Sequence, residues 1–338
     1  MTENRQIIID SLPTDRLAPE NYALRTVEVP VPGDGELLCR TLAITIGAGQ
    51  RAGLQGSASY AGAPRAGNVM GGTAVARVEA SNDEEVSVGS LVVCPAGWQD
   101  YSVHAAAKVR VVDESGGGSG DPAHQLGVYG TNGLTAYFGL FDVGEPKEGQ
   151  TVLVSAAAGS VGHLVGQMAK IAGCRVIAVA GGEAKCRLLT EELSFDAALD
   201  YKSPNFRSEF KGATGERIDI YFDNTGGEVL GSALRRMKVG GRIVCCGVVS
   251  QYDTSKPAPG PFGVPGLLIN FRVRMEGFLV FDYAKRYPEA WTRMREWVEG
   301  GKLVPKQDVF EGLEKAPEAF VDLLAGGNVG TRIVRVAS

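Results

Sequence analysis

A chain of 338 residues is too long for one ordinary hydrophobic core and implies two domains. With 44% apolar residues, 34 basic against 39 acidic side chains and a net charge of −5, its composition is that of a soluble globular protein. No basic run or basic–aromatic stripe offers a surface to nucleic acid, and no apolar run reaches membrane-spanning length. The opening "MTENRQIIIDSLPTD" lacks an apolar core flanked by positive charge, so a cytoplasmic protein with no membrane partner is expected.

Residues 5–112 read as short strands: "QIIIDSL", "LRTVEVPV", "GELLCRTLAIT", "GTAVARVEA", "LVVCPAGW", "QDYSVHA" and "AKVRVV". Turn residues separate them, among them Pro32-Gly33-Asp34-Gly35 and Ser81-Asn82-Asp83. A twisted, barrel-like β domain is expected. "DESGGGSGDP" (113–122) reads as a flexible boundary. From about residue 126 strands alternate with helices. The strands are 151–156, 175–180, 197–201, 218–223 and 241–248; the helices are 160–172, 183–193, 204–211, 228–238 and 287–300. Apolar strands in this rhythm predict a doubly wound parallel sheet with both faces covered. The last helix of that series puts Trp291, Met294, Trp297 and Val298 on one stripe. The C-terminal "PEAFVDLLAGGNVGTRIVRVA" predicts a helix and a strand that return to the first domain. The expected domains are therefore 1–126 with 305–338, and 127–304.

Six cysteines (Cys39, Cys94, Cys174, Cys186, Cys245, Cys246) form no CxxC pair and read as reduced, buried thiols. The three histidines, His104, His124 and His163, lie far apart, so no metal set is expected.

"VSAAAGSVGHLVGQMAK" (154–170) joins a buried strand to a helix through nearly bare backbone. Ala157, Gly159 and Gly162 fit the GxGxxG dinucleotide spacing, with alanine for the first glycine. Gly159 lets backbone approach a pyrophosphate; Gly162 lets helix and strand pack closely; the helix start faces the phosphates. NAD-binding chains carry an acid at the end of the second strand to hold the ribose hydroxyls. Here Gly181 and Gly182 stand there, followed by Lys185 and Arg187, which favours the 2′-phosphate of NADPH. The competing reading makes both cations solvated helix charges.

Six ordered segments carry a family resemblance: "GLTAYFGL", "VSAAAGSVG", "YFDNTGGE", "CGVVSQY", "RMEGFLV" and "GGNVGTRIV". Together they resemble the zinc-independent branch of the medium-chain dehydrogenase/reductases: leukotriene hydroxydehydrogenases, prostaglandin reductases and alkenal double-bond reductases. The resemblance implies a Rossmann domain (127–304) beside a β-rich GroES-like catalytic domain, a homodimer, and NADPH-dependent reduction of the C=C bond of an α,β-unsaturated ketone or aldehyde. It implies that Ala157, Gly159, Ser160, Val161 and Gly162 border the pyrophosphate, that Lys185 meets the 2′-phosphate and that Tyr201 lies by the adenosine. It places Asn224, Cys246, Val248, Ser250 and Tyr252 along the cofactor, Phe278, Leu279 and Val280 beside the nicotinamide, and Asn328 at the closing edge.

Hydride addition to an enone drives negative charge onto the carbonyl oxygen, so a donor aimed at that oxygen lowers the barrier. With no metal set expected, the resemblance assigns this to the cofactor ribose hydroxyl and a tyrosine, for which Tyr252 is the candidate. From its polar loop alone, Tyr252 reads as a surface tyrosine. Tyr137 reads as core. Thr135 either faces the nicotinamide, as the resemblance implies, or bonds within its helix. His163 reads as a packed or solvated helix position.

Two departures from the family pattern bear on the substrate. Relatives carry Asp-Pro-Tyr-Met-Arg where this chain has Gly47-Ala48-Gly49-Gln50-Arg51, and an aromatic in place of Asn270. Gly49, Arg51 and Asn270 are thus candidate substrate-pocket positions, in either a wider site or a looser loop. Two other readings remain: a zinc-independent quinone reductase on the same scaffold, and a cofactor-binding structural or sensor protein.

Overall fold

The computed structural model describes residues 3–56, 64–113 and 120–337; most of the 113–122 boundary stretch lies outside them. By contact the chain forms two compact units. One is Met1–Gly127, Gln307–Gly327 and Thr331–Ser338; the other is Val128–Lys306 with Asn328–Gly330.

In the first unit β1 (Glu3–Ile9) and β2 (Tyr22–Glu28) form an antiparallel pair. β3 (Glu36–Ile46) is the spine, burying almost every second residue as a strand covered on one face does. It runs into α1 (Ala48–Leu54); β4 (Ala74–Ser81), β5 (Leu91–Cys94), β6 (Tyr101–Ala105) and β7 (Arg110–Val111) follow.

The second unit begins with α2 (Thr131–Phe138) and continues β8 (Thr151–Ser155), α3 (Gly162–Ile171), β9 (Arg175–Ala180), α4 (Glu183–Arg187), β10 (Ala197–Asp200), α5 (Phe206–Ala213), β11 (Ile218–Asp223), α6 (Gly227–Leu234), β12 (Met237–Cys245), α7 (Val264–Phe271), β13 (Arg274–Gly277) and α8 (Tyr287–Glu299). Its six strands are all parallel, in the order β10-β9-β8-β11-β12-β13. This is the dinucleotide-fold order, and it reverses between β8 and β11. Ligands of such sheets bind beyond the strand carboxyl ends at that reversal. The five residues of β8 are all buried, which explains why the strand is apolar throughout. The α8 stripe meets this core: Met294 and Trp297 are buried, with Trp291 and Val298 packed at its margin. Each large buried side chain there contributes about 1.5–3 kcal/mol.

The chain then returns to the first unit as β14 (Gln307–Glu311), α9 (Ala316–Leu324) and β15 (Thr331–Arg335), giving the sheet order β14-β15-β3-β4-β5-β7 with β6 also on β3. Trp98 sits in this core 5.4 Å from the Tyr22 ring and edge-on to Phe320 at 5.9 Å. Arg332, 1% exposed, joins the returning elements: it donates to Ala319 O at 2.8 Å and pairs with Asp308 and Asp322, each at 2.7 Å.

The Gly/Pro-rich "KPAPGPFGVPG" (256–266) ends in helix, because Pro265 sits in the first turn of α7, where no intrahelical N–H is needed. Two local expectations are corrected. The strand expected at 241–248 starts at Met237; Gly240, at φ +78°, lets it pass through the double glycine. Residues 48–54 are helical, not loop, because Gln50 reaches back to accept from Gly47 N–H at 2.8 Å and donates to Gly71 O at 2.7 Å.

Candidate active site

The turn after β8 is built from backbone. Ala156 reverses the chain at φ +47°, and Ala157 N–H donates to Val179 O at 3.0 Å. A Cβ on Gly162 would lie 2.3 Å from Ala156 O and 2.8 Å from Ala157 Cα, so only glycine starts α3 this close to the strand. At Gly159 a Cβ would meet only Ala156 O, at 3.1 Å; that glycine leaves room for something outside the chain. No side chain caps α3, and the Val161 and Gly162 amides have no acceptor among the described residues. Bare N–H groups at the positive end of a helix dipole fit a pyrophosphate.

His163 holds this turn from inside. It is 1% exposed; its Nδ1 lies 2.8 Å from Gly159 O and its Nε2 is 3.1 Å from Lys306 N. Nε2 can only accept from that amide, so the proton sits on Nδ1 and is donated to Gly159 O. Burial lowers its pKa to about 4, keeping the ring neutral. Across the turn, Gly330 N–H donates to Ala158 O at 2.7 Å and Ser160 Oγ donates to Gly330 O at 3.2 Å. Lys185 Nζ donates to Asn328 O at 2.6 Å, and Asn328 Nδ2 to Gly330 O at 3.0 Å. Ser160, Lys185 and Asn328 thus meet around the Asn328–Gly330 backbone.

The turn after β9 is built from side chains. A Cβ on Gly181 would lie 2.9 Å from Tyr201 Cε1 and 3.1 Å from Lys202 Cε, both from the end of β10. Asp200 Oδ1 accepts Gly182 N–H at 2.8 Å and Lys202 N–H at 2.9 Å, pinning the two chain ends. Tyr201 is half exposed beside this turn. Arg187 faces Glu183 at 4.0 Å on the helix surface, the solvated arrangement.

At the reversal, one buried carboxylate oxygen organises the loop after β11. Asp223 Oδ1 accepts from Tyr221 Oη (2.7 Å), Ser155 Oγ (3.3 Å), Thr225 N (3.0 Å) and Gly226 N (2.8 Å). Asn224, 8% exposed, donates through Nδ2 to Ser155 O at 2.8 Å, so it ties the ends of β8 and β11 together. The loop after β12 is fastened to the same place: Cys246 N–H donates to Asp223 O (2.9 Å), Val249 N–H to Asn224 O (3.2 Å) and Ser250 N–H to Thr225 O (3.2 Å). Burial pushes the Cys246 thiol up to about 12, so it is a neutral packing group, not a nucleophile. Tyr252 folds back over this loop, its Oη accepting Val248 N–H at 3.3 Å; Gly247 leaves space for it.

The family models described as "N-terminal domain of oxidoreductase" and "Zinc-binding dehydrogenase" match residues 5–112 and 160–298. The NADPH-dependent curcumin reductase of Escherichia coli (strain K12) is 39% identical over 99% of this chain and 97% of its own. The 2-alkenal reductase (NADP(+)-dependent) of Nicotiana tabacum is 36% identical, covering 99% and 98%. The crystal structure of CurA from Vibrio vulnificus in complex with NADPH superposes with a TM-score of 0.94 at 38% identity, covering 99% of each chain. The chain belongs to the zinc-independent medium-chain dehydrogenase/reductases.

In this oxidoreductase family member, no group of three His, Cys, Asp or Glu among the described residues is placed to hold a metal ion, whatever the second model's description says. Of the other expected positions, Phe278 packs its ring on Gly139, whose Cβ would lie 2.5 Å from Phe278 Cζ. Leu279 is 42% exposed, while Val280 belongs to the core. Tyr137 is core, as read. The Thr135 hydroxyl has no hydrogen-bond partner among the described residues, so the intrahelical alternative is not the one taken. Gly49 is exposed on α1 and Asn270 is exposed on α7, in different units. Arg51 is a correction: at 1% exposure, donating to Asp15 O at 2.5 Å, it is a buried strut and lines no open space. Sequence reasoning missed His163 as the organiser of the nucleotide turn and, at the end of β10, named Tyr201 but missed its neighbours Asp200 and Lys202. A histidine four residues after a turn glycine, one helical turn on, was the available signal for the first.

Proposed function

We propose that this protein is an NADPH-dependent reductase of the C=C bond of α,β-unsaturated ketones and aldehydes. The observation that carries the reading is the pairing, at one end of one parallel sheet, of a phosphate-ready turn after β8 with a tyrosine hydroxyl on the loop after β12. Their strands are two places apart, about 10 Å. The relatives support the chemistry: curcumin and 2-alkenals share a C=C conjugated to a carbonyl.

When bound, NADPH supplies the hydride. The residues that would hold it are Gly159, Ser160, Val161 and Gly162 at the pyrophosphate, Lys185 and Tyr201 at the adenosine end, and Asn224, Val248 and Ser250 along the loops. The Gly162 contact and the open Val161 and Gly162 amides are what make that fit. Tyr252 then acts on the substrate. Its oxygen accepts from the Val248 amide, which fixes the ring, and its O–H donates toward the carbonyl oxygen where charge accumulates.

The test is a panel running from small alkenals to bulky aryl enones, with benzoquinone alongside, followed by NADPH oxidation and product mass. Saturated ketone or aldehyde products support the reading. Turnover of quinone with every enone inert overturns it.

A further inference from the structure

We infer that Lys202 is a second cation for the adenosine 2′-phosphate and sets the cofactor preference together with Lys185; this rests on the NADPH reading above. The position that decides between the two nicotinamide cofactors is the residue directly after the second strand of the fold, where an acid holds the free ribose hydroxyls. Here that residue is Gly181, and its side-chain space is taken. A Cβ built on it would lie 2.9 Å from Tyr201 Cε1, 3.2 Å from Tyr201 Oη and 3.1 Å from Lys202 Cε. Tyr201 and the Cε of Lys202 thus share the space an acid's side chain would enter, and the Lys202 ammonium, one bond beyond Cε, brings the opposite charge to that turn.

Three further observations point the same way. Lys202 is exposed and forms no ion pair with any described residue, whereas Lys170, Lys238 and Lys306 are each paired. Its arm is laid along the turn, with Nζ 5.9 Å from the centre of the Tyr201 ring, and its own N–H is held by Asp200. Lys185, the cation expected from sequence, directs its ammonium to Asn328 O at 2.6 Å, the side of the site where the loop crosses the pyrophosphate turn. Two carboxylates lie near the turn: Asp200, whose Oδ1 is turned to the Gly182 and Lys202 amides, and Glu183, which faces Arg187 at 4.0 Å. An ammonium on a flexible arm beside an aromatic ring suits a phosphate monoester on a ribose stacked at that ring.

The experiment is calorimetric titration of wild type, Lys202→Ala and Lys202→Arg with 2′,5′-ADP and with 5′-AMP. Lys202→Ala is expected to weaken 2′,5′-ADP about tenfold and 5′-AMP less than twofold, and Lys202→Arg to keep most of the preference. An unchanged ratio of the two affinities, or equal weakening of both ligands, overturns the assignment of Lys202. If wild type itself does not prefer 2′,5′-ADP, the NADPH reading fails first, and that result is visible before any variant is compared.

Discussion

The two glycine turns at the head of the nucleotide sheet do related jobs with different materials. After β8, Gly162 faces backbone: Ala156 O and Ala157 Cα are the atoms a side chain would strike. After β9, Gly181 faces the side-chain ends of Tyr201 and Lys202. Under the function proposed above, the first turn would serve the pyrophosphate that every dinucleotide shares, and the second the one phosphate that distinguishes two cofactors. Affinity would then rest on backbone that cannot adapt, and selectivity on side chains that can.

That contrast can be broken by substitution, beginning with the largest effect. Gly162→Val forces a Cβ against backbone; nucleotide-induced thermal protection should vanish, and stability should fall by about 1–3 kcal/mol or more in denaturant titration. Retained protection would show that the turn tolerates a side chain. Tyr252→Phe should lower kcat about 10²- to 10³-fold while the NADPH Kd stays within about twofold; unchanged kcat removes Tyr252 from the chemistry. Gly181→Asp should cost less than about 1 kcal/mol of stability, because Tyr201 and Lys202 can swing aside, and should shift the NADPH/NADH affinity ratio toward NADH about tenfold. A stability loss matching that of the Gly162 variant would erase the distinction between the two turns.

His163 has no titration effect at neutral pH; it sharpens the rigid side of the comparison only as the pH falls. Its folded pKa, about 4, lies below the unfolded value near 6.5, so the unfolded chain takes up the proton first. Its contribution is fully present above about pH 6.5 and is lost as pH falls toward 4, by up to about 3 kcal/mol. His163→Gln should flatten that part of the stability–pH curve. An unchanged slope would mean another group carries it.

The same contrast explains what was legible in the sequence. The β8–α3 turn is local: a buried strand, stripped residues and a helix follow one another, and the spacing alone states the chemistry. Strand alternation in β3 and the stripe on α8 are equally local. The second turn depends on pairing. Tyr201 and Lys202 reach Gly181 only because Asp200 lies in register with Ala180 across β9 and β10, which no spacing rule reveals. β13 escaped for a similar reason: "RMEG" has no apolar run, and it is a strand because Arg242–Cys245 pairs with it. α1 looked like loop because two glycines precede Arg51; the reach of Gln50 to Gly47 and Gly71 outweighs their poor helix propensity. Arg51 itself looked available for a ligand, and burial against Asp15 O decides otherwise.

The central claim is that bare amides at Val161 and Gly162 hold a pyrophosphate while cations after β9 select its 2′-phosphate form. Titrating the purified wild-type protein with NADPH and NADH in parallel tests it most directly. The account predicts saturable binding of NADPH, with NADH weaker by about tenfold or more; no binding of either nucleotide, or equal affinity for both, would contradict it.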